Sequence, residues 1–341
     1  MKKNTMMRIA SILLVVTLLS TCVISGTFAK YVTKAEGKDE ARVAKWGILV
    51  SVNGDSAFST EYETHDTNGY DGPISVKADE DIDLLDMDEP ERLVAPGTFS
   101  EGLEGTVIGK PEVATRYELK ISDWTDIVLP QGTYTDYTNY VLGEGYKKMA
   151  TPSSGDYAPV KWDIVVTKNK TGDQIGLLSE AAIKLGKTDA QLAEMGLRGF
   201  SASDARIIVE NYRTQLISLL ESIVPSGKNA DIQIDGDDII LSMDFDPLKE
   251  VDYTFSLKWE WAFEGPTVGM TGPTTFTQFS KEEVDVLDTF LGNWIAYEAM
   301  VKAGEDASTV FTAEQIAEFD ALDDENFKIG ATVVASATQI D

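Results

Sequence analysis

The chain of 341 residues contains one cysteine, Cys22, and one histidine, His65. Cys22 falls inside an N-terminal apolar stretch, so a mature chain that has lost this stretch can form no disulfide. Zinc enzymes need several His or Cys ligands, and a Ser-His-Asp hydrolase needs a histidine base. The scarcity of both residue types therefore excludes a disulfide framework and argues against both classes of enzyme.

Basic side chains are also scarce, with 29 Lys and Arg against 57 Asp and Glu and a net charge of −28. Loss of residues 1–29 would remove Lys2, Lys3 and Arg8, leaving 26 basic side chains and a net charge of −31. Such a surface repels nucleic acid and anionic lipid. We therefore expect no nucleic-acid partner, and membrane contact only through an uncleaved leader.

The recognisable motifs of enzyme chemistry are missing as well. The sequence has no glycine-rich phosphate loop, nucleophile elbow, HExxH pattern or paired metal-ligand spacing. Acidic residues are so numerous that a hydrolase with a carboxylate pair stays open as an alternative, although no spacing singles out a pair. The sequence predicts a non-enzymatic structural or binding protein without a cofactor.

Residues 1–29 have the layout of a secretory signal peptide. Three basic residues precede an apolar run from Ile9 to Leu19, and Thr27-Phe28-Ala29 places small residues at the −3 and −1 positions of a cleavage site. We predict cleavage between Ala29 and Lys30, and hence a secreted protein. One alternative is a membrane anchor, for which the run is short. Another is lipoprotein processing at Cys22, which the preceding Thr21 fits poorly.

The mature chain would begin with a polar segment, residues 30–40, which we predict to be a flexible arm. Apolar residues then alternate with other residues at Ala44, Trp46, Ile48 and Val50, and this period of two predicts the first strand. We predict a single β domain over residues 41–341, with helical insertions at about 173–225 and 280–322.

The strongest alternation lies in Tyr253 to Glu264, where six large residues fall on one side of a strand that needs a second layer over it. A hairpin around Asp235-Gly236 is predicted to precede this strand. Helix caps are expected at Thr188, Ser203, Ser280 and Thr312. The other predicted strands are Phe58–Thr64, Ile74–Ala78, Glu112–Trp124, Val160–Val166 and Phe327–Ile340.

An acidic run, Asp79 to Glu91, holds eight acids in thirteen residues. We expect a solvated loop. Asp79, Asp81 and Asp83 alternate, which leaves a weak Ca²⁺ site as the alternative, but the run fails the EF-hand pattern because Leu84 stands where glycine is needed.

A second loop, Tyr134 to Tyr146, is rich in tyrosine. We expect it to cover a sheet edge. The alternative is a surface that contacts sugars or other partners, which would make the chain a cell-surface carbohydrate-binding or adhesin-type module.

The junction between leader and mature chain carries a family resemblance. The segments SGTFAKYVTK (Ser25 to Lys34) and ARVAKWGILVSV (Ala41 to Val52) resemble the start of TasA/camelysin proteins, which Gram-positive bacteria secrete and build into biofilm matrix fibres. Similar segments further along are Val94 to Gly97, Lys258 to Glu264, Leu291 to Asn293 and Thr338 to Asp341.

The resemblance implies an antiparallel jelly-roll or immunoglobulin-like β-sandwich with helical insertions, exported through a SipW-like signal peptidase. It implies fibres, at the cell surface or in the extracellular matrix, in which the N-terminal segment of one subunit completes the sheet of the next. The residues expected to donate are Tyr31, Val32, Ala44, Trp46, Ile48 and Val50. Other matrix proteins or polysaccharide are the further expected partners. The name camelysin also carries a metalloprotease activity, which a single histidine does not support.

Overall fold

The computed structural model describes residues 44–53, 57–59, 61–62, 74–75, 84, 92–129, 156–183, 199–262, 267–272, 275–322 and 328–340. Contacts between Cα atoms divide the chain into two units, Met1–Gly47 and Ile48–Asp341. All helices and strands named below belong to the second unit.

Strands account for most of the regular structure. In chain order they are β1 (Ile48–Asn53), β2 (Glu61–Tyr62), β3 (Ile74–Ser75), β4 (Phe99–Gly109), β5 (Thr115–Thr125), β6 (Val160–Lys168), β7 (Asp173–Gly176), β8 (Gly227–Asp235), β9 (Asp238–Phe245), β10 (Val251–Trp261), β11 (Thr267–Gly272), β12 (Thr275–Phe279) and β13 (Gly330–Gln339). One sheet has five strands in the order β1-β4-β10-β6-β7, and a second has four in the order β13-β5-β9-β8. Every pairing in these two sheets is antiparallel.

Four α-helices are described: α1 (Leu177–Ile183), α2 (Ala202–Ile223), α3 (Lys281–Ala303) and α4 (Ala313–Phe319). Ser280 and Thr312 cap α3 and α4 with complete capping boxes, which confirms both predicted starts. The cap of α2 is Ser201, whose hydroxyl accepts from the Asp204 N–H. The predicted cap, Ser203, is therefore wrong and lies in the first turn.

The five-stranded and four-stranded sheets face each other, and we refer to them together as the double sheet. The ring of Tyr117 on β5 stacks on that of Phe255 on β10 with centroids 5.0 Å apart. The Tyr117 hydroxyl also donates to the Gly105 carbonyl on β4, at 3.2 Å. The apolar side of β10 is buried as its alternation predicted, at Tyr253, Phe255, Leu257, Trp259 and Trp261. The prediction of a mainly β protein is confirmed.

Helix α2 packs against β8 and β6, at one lateral end of the double sheet. At the other end β1 and β13 form the two sheet edges, and the main neighbours of β1 among the described elements are β4 and β13. The two ends of the double sheet therefore differ, because α2 packs against β8 and β6 at one end only among the described elements.

Several boundaries differ from the sequence predictions for identifiable reasons. β1 begins at Ile48 instead of Ala44 because Gly47 has φ 66°, a left-handed conformation that interrupts a strand. The insertion predicted from residue 173 opens with β7, which pairs with β6. The connection before Ser280, predicted to be irregular, contains the β11–β12 hairpin. The expected cap at Thr188 lies outside the described residues.

Gly102 gives a test of this sheet geometry. It sits in β4 with φ 85°, beside the register shift between Leu257 and Trp259, and a Cβ there would lie 1.9 Å from the Leu257 carbonyl oxygen. We expect Gly102→Ala to lower the free energy of unfolding by about 2 kcal/mol or more, because backbone atoms must move. Chemical denaturation measures this change.

The matched control is Gly292→Ala in the middle of α3, where an added Cβ meets nothing within 4 Å. Alanine is the better helix former, so this change should raise stability by about 0.5–1 kcal/mol. Equal stability of the wild type and the Gly102→Ala variant would contradict the geometry of the β4–β10 pair.

Candidate assembly site

Strand β1 occupies an edge of the five-stranded sheet and pairs with β4 along its whole length. The register runs from Ile48 opposite Gly109 to Asn53 opposite Glu104. This strand is the part of the predicted donor segment that the structure describes as β. The predicted donor therefore already pairs within its own subunit.

The side chains of β1 are only partly buried. Ile48 and Val50 pack against the core, whereas Leu49 is 67% exposed and Val52 is 47% exposed. Burial of apolar area is the main stabilising contribution that a strand of this kind can make. Because that contribution is small here, main-chain pairing with β4 accounts for most of the attachment of β1.

The predicted donor residues fall into three groups. Ile48 and Val50 lie in β1, on its core-facing side. Ala44 and Trp46 precede the strand, and Trp46 is 40% exposed. Tyr31 and Val32 lie outside the described residues, as do Ala29 and Lys30 of the predicted cleavage site.

The edge of the four-stranded sheet at the same end is β13. A Cβ placed on Gly105 of β4 would lie 3.3 Å from the Cβ of Ala335, so small residues bring the two sheets close together here. The strand reads GATVVASATQ, with no charged residue and no proline. Long edge strands in natural proteins usually carry such residues, which prevent pairing with other chains.

The remaining edges of the two sheets differ from β1 and β13. β7 has four residues and begins with Asp173, and Phe200 forms a bridge with Trp162 on the same side of β6. β8 carries Lys228, Asp231 and Asp235 and packs against α2. In the described part of the chain, the uncharged edge strands of the double sheet thus lie together at one end.

Several acidic side chains are enclosed by the fold. Two of them accept hydrogen bonds from backbone N–H groups at the start of a helix. The Asp126 carboxylate accepts from the Trp162 indole N–H at 2.7 Å and from the Ala202 N–H at the start of α2. The Asp163 carboxylate accepts from the Leu178 N–H in α1 at 2.9 Å. Burial raises the pKa of each of these two carboxyls to about 6, although the hydrogen bonds oppose the shift. The geometry indicates that both acids position helices.

Lys161 lies next to Trp162 on β6 and is 5% exposed. Burial lowers the pKa of its ammonium group, and the negative charges of Asp204 and Asp126 oppose the decrease. The two carboxylates therefore partly compensate the cost of placing a cation at the start of α2.

A third enclosed acid, Asp288, connects α3 to the double sheet. Its Oδ1 accepts from the Tyr157 hydroxyl at 2.6 Å and from the Trp261 indole N–H at 3.2 Å. Burial raises the pKa of this carboxyl to about 7, against the effect of the two hydrogen bonds, and Asp285 adds to the increase. Protonation of Asp288 near neutral pH therefore favours the folded state.

The alternative sites raised by the sequence fall largely outside the described residues. These are the proposed Ca²⁺ ligands Asp79, Asp81 and Asp83 and the tyrosine-rich loop Tyr134 to Tyr146. Within the residues that are described, no three His, Cys, Asp or Glu side chains come together as candidate metal ligands. Nor does any helix in that part of the chain combine the length and hydropathy that a membrane span requires.

Comparisons of the chain with protein-family models, with curated proteins and with solved structures gave no match.

Sequence reasoning overlooked two features of this region that had detectable signals. In β13, ten consecutive residues lack charge in a chain of which 25% is charged. Asp288 lies four residues after Val284 and three before Leu291, on the apolar stripe of a predicted helix. Either signal is readable without a structure, but neither specifies what the residues contact.

The enclosed carboxyl of Asp288 predicts a defined pH dependence. The folded pKa of about 7 lies far above the unfolded value of about 4, so the contribution of Asp288 to stability is greatest below about pH 4, decreases as pH rises toward 7 and levels off above it. We expect Asp288→Asn to remove about 1 kcal/mol of the decrease in unfolding free energy between about pH 6 and 8. Urea denaturation across this range measures the slope.

A suitable control is Asp237→Asn, because Asp237 is exposed in the β8–β9 turn. This variant should keep the pH dependence of the wild type. Identical slopes for all three proteins would show that Asp288 does not titrate near neutral pH in the folded state.

Proposed function

We propose that the protein is a secreted structural protein of the extracellular matrix or cell surface, and that it assembles into fibres by donating its N-terminal strand to a neighbouring copy. The observation that carries this proposal is the state of β1, an uncharged edge strand that pairs along its whole length with β4 but buries little of its own surface. The resemblance of the leader junction to the TasA/camelysin family supports the same function. A SipW-like peptidase would free the donor end by cutting after Ala29.

The acceptor in this mechanism is the edge of β4 that β1 covers within one subunit. When β1 of one copy leaves, β1 of another copy can take the same register on β4, with the same side chains facing the core. Such an exchange needs no new interface, so its cost is the transient loss of a weakly buried strand. Donor and acceptor are different surfaces, and the contact therefore propagates head to tail into a filament.

Gly47 marks the N-terminal end of the donated strand in this proposal. The boundary between the two contact-defined units falls directly after it, and its left-handed φ of 66° is a conformation that glycine adopts without strain. Residues 30–46 would form the free end that β1 brings to the next subunit, with Tyr31 and Val32 adding contacts there, while the chain after Asn53 connects β1 to its own subunit.

The finer fold assignment belongs to the same proposal. We assign the double sheet to the jelly-roll or immunoglobulin-like β-sandwiches with helical insertions. Antiparallel pairing throughout both sheets and the facing Tyr117 and Phe255 rings support the assignment. Matrix proteins or polysaccharide would be the neighbours of the fibre.

A disulfide between β1 and β4 tests strand exchange directly, because the mature chain has no cysteine of its own. Opposing pairs in an antiparallel ladder alternate in spacing, so we would build both Ser51→Cys/Thr106→Cys and Val50→Cys/Val107→Cys. The better-spaced pair should lock β1 to its own subunit. The oxidised protein should fail to form filaments in electron micrographs, and reduction should restore them.

The control disulfide is Glu118→Cys/Ser242→Cys, which joins the inner strands β5 and β9 and leaves β1 free. This protein should form filaments both oxidised and reduced. Filaments from fully oxidised β1–β4 protein, at the wild-type rate, would rule out exchange onto β4.

Charge gives a second test of self-assembly. Mature subunits at −31 repel each other, and a screening length of about 8 Å at physiological salt removes only part of that repulsion. We expect light scattering of the mature protein to increase from about pH 8 to about pH 4.5, and with added salt or Ca²⁺. Flat scattering under all of these conditions would contradict assembly limited by repulsion.

A further inference from the structure

The outer edge of β13 has no role in the exchange of β1. It is the outer strand of the four-stranded sheet, and among the strands that the structure describes it pairs only with β5. Its residues alternate between a half-buried inner row and an exposed outer row, Thr332, Val334, Ser336 and Thr338. The outer side of this strand thus presents β-branched and hydroxyl side chains.

The sequence of β13 is complementary to itself. If two copies of the strand run antiparallel with Ala335 opposite Ala335, Thr332 falls opposite Thr338 and Val334 opposite Ser336. Cross-strand pairs of Thr and Ser side chains are favourable, and no like charges face each other. In the inner row, Val333 falls opposite Ala337. Both side chains are small enough for the four-stranded sheets of the two copies to join edge to edge.

The distribution of charge favours a second copy of the chain as the partner that pairs with the outer edge of β13. Two mature proteins that each carry −31 repel over most of their surfaces, and β13 is a ten-residue edge without any charge in such a protein. The pairing groups are main-chain N–H and C=O groups, which attract regardless of net charge.

We propose that β13 is a self-pairing edge, at which two copies of the chain join by antiparallel β13–β13 pairing about a two-fold axis. The two four-stranded sheets then form one continuous sheet of eight strands. The contact is isologous, unlike the head-to-tail exchange of β1, and it does not depend on that exchange.

The test compares Val334→Lys with Val310→Lys in mature protein, residues 30–341, carrying the oxidised β1–β4 disulfide. Both valines are 51% exposed, so both changes place a lysine on the surface and reduce the negative charge equally. Lysine on an edge strand opposes pairing. By analytical ultracentrifugation we expect dimers of the parent protein and of the Val310→Lys variant, and dimerisation weakened about ten-fold or more in the Val334→Lys variant.

A second measurement reports the register. Ala335→Cys, in mature protein without the β1–β4 cysteines, puts one thiol at the proposed axis and should give a disulfide-linked dimer under mild oxidation. A Val310→Cys protein should remain mostly monomeric. Predominantly monomeric parent protein at high concentration, or equal dimerisation of the two lysine variants, would overturn the proposal. Because the lysine variants are compared with β1 locked, their outcome is independent of whether unlocked protein forms filaments.

Discussion

The aromatic row of β10 is the constraint on which the rest of the structure depends. Its aromatic rings fill the space between the two sheets. The polar atoms of the same side chains also form hydrogen bonds with three separate parts of the chain. The Trp259 indole donates to the Ala57 carbonyl at 2.8 Å, the Trp261 indole to Asp288, and the Tyr253 hydroxyl lies 3.1 Å from that of Ser226. One strand therefore positions the segment after β1, helix α3 and the turn after α2. Tyr and Trp suit this role because each combines a large apolar surface with one hydrogen-bonding atom.

Acid affects the interior and the surface of this protein in the same direction. Inside, the raised pKa values of Asp126, Asp163 and Asp288 mean that protonation relieves the cost of enclosing charge. Outside, protonation of exposed carboxylates reduces repulsion between copies. Proteins held together by exposed ion pairs generally lose stability in acid. Here the pair between half-exposed Arg116 and buried Asp244, which lowers the pKa of Asp244, follows that usual trend and acts against the three enclosed acids.

The sequence was sufficient to predict the elements whose residues carry a local signal. Alternation located β5, β6 and β10, and capping boxes located α3 and α4, because both patterns arise within a few neighbouring residues. The pairing order of strands was not predictable, since β9 and β10 are consecutive in sequence yet lie in different sheets. The alternation that predicted the first strand was right for Ile48 and Val50 but not for Ala44 and Trp46, because the backbone angle of Gly47 interrupts the strand. Edge strands are a property of sheet order, so the exposed position of β13 could not be read from its sequence.

Contacts at the two edge strands β1 and β13 would have different symmetry. Exchange of β1 would join subunits head to tail and give a chain with direction, whereas pairing of β13 about a two-fold axis would join chains that run in opposite directions. β1 and β13 belong to different sheets, so pairing at one of these edges does not use the main-chain groups of the other. If both proposals hold, a single polyanionic chain would make two contacts of different symmetry, and both would use main-chain hydrogen bonds of strands that carry no charged residue. Repulsion between the remaining surfaces would oppose both proposed contacts, so ionic conditions would control filament growth and lateral pairing together.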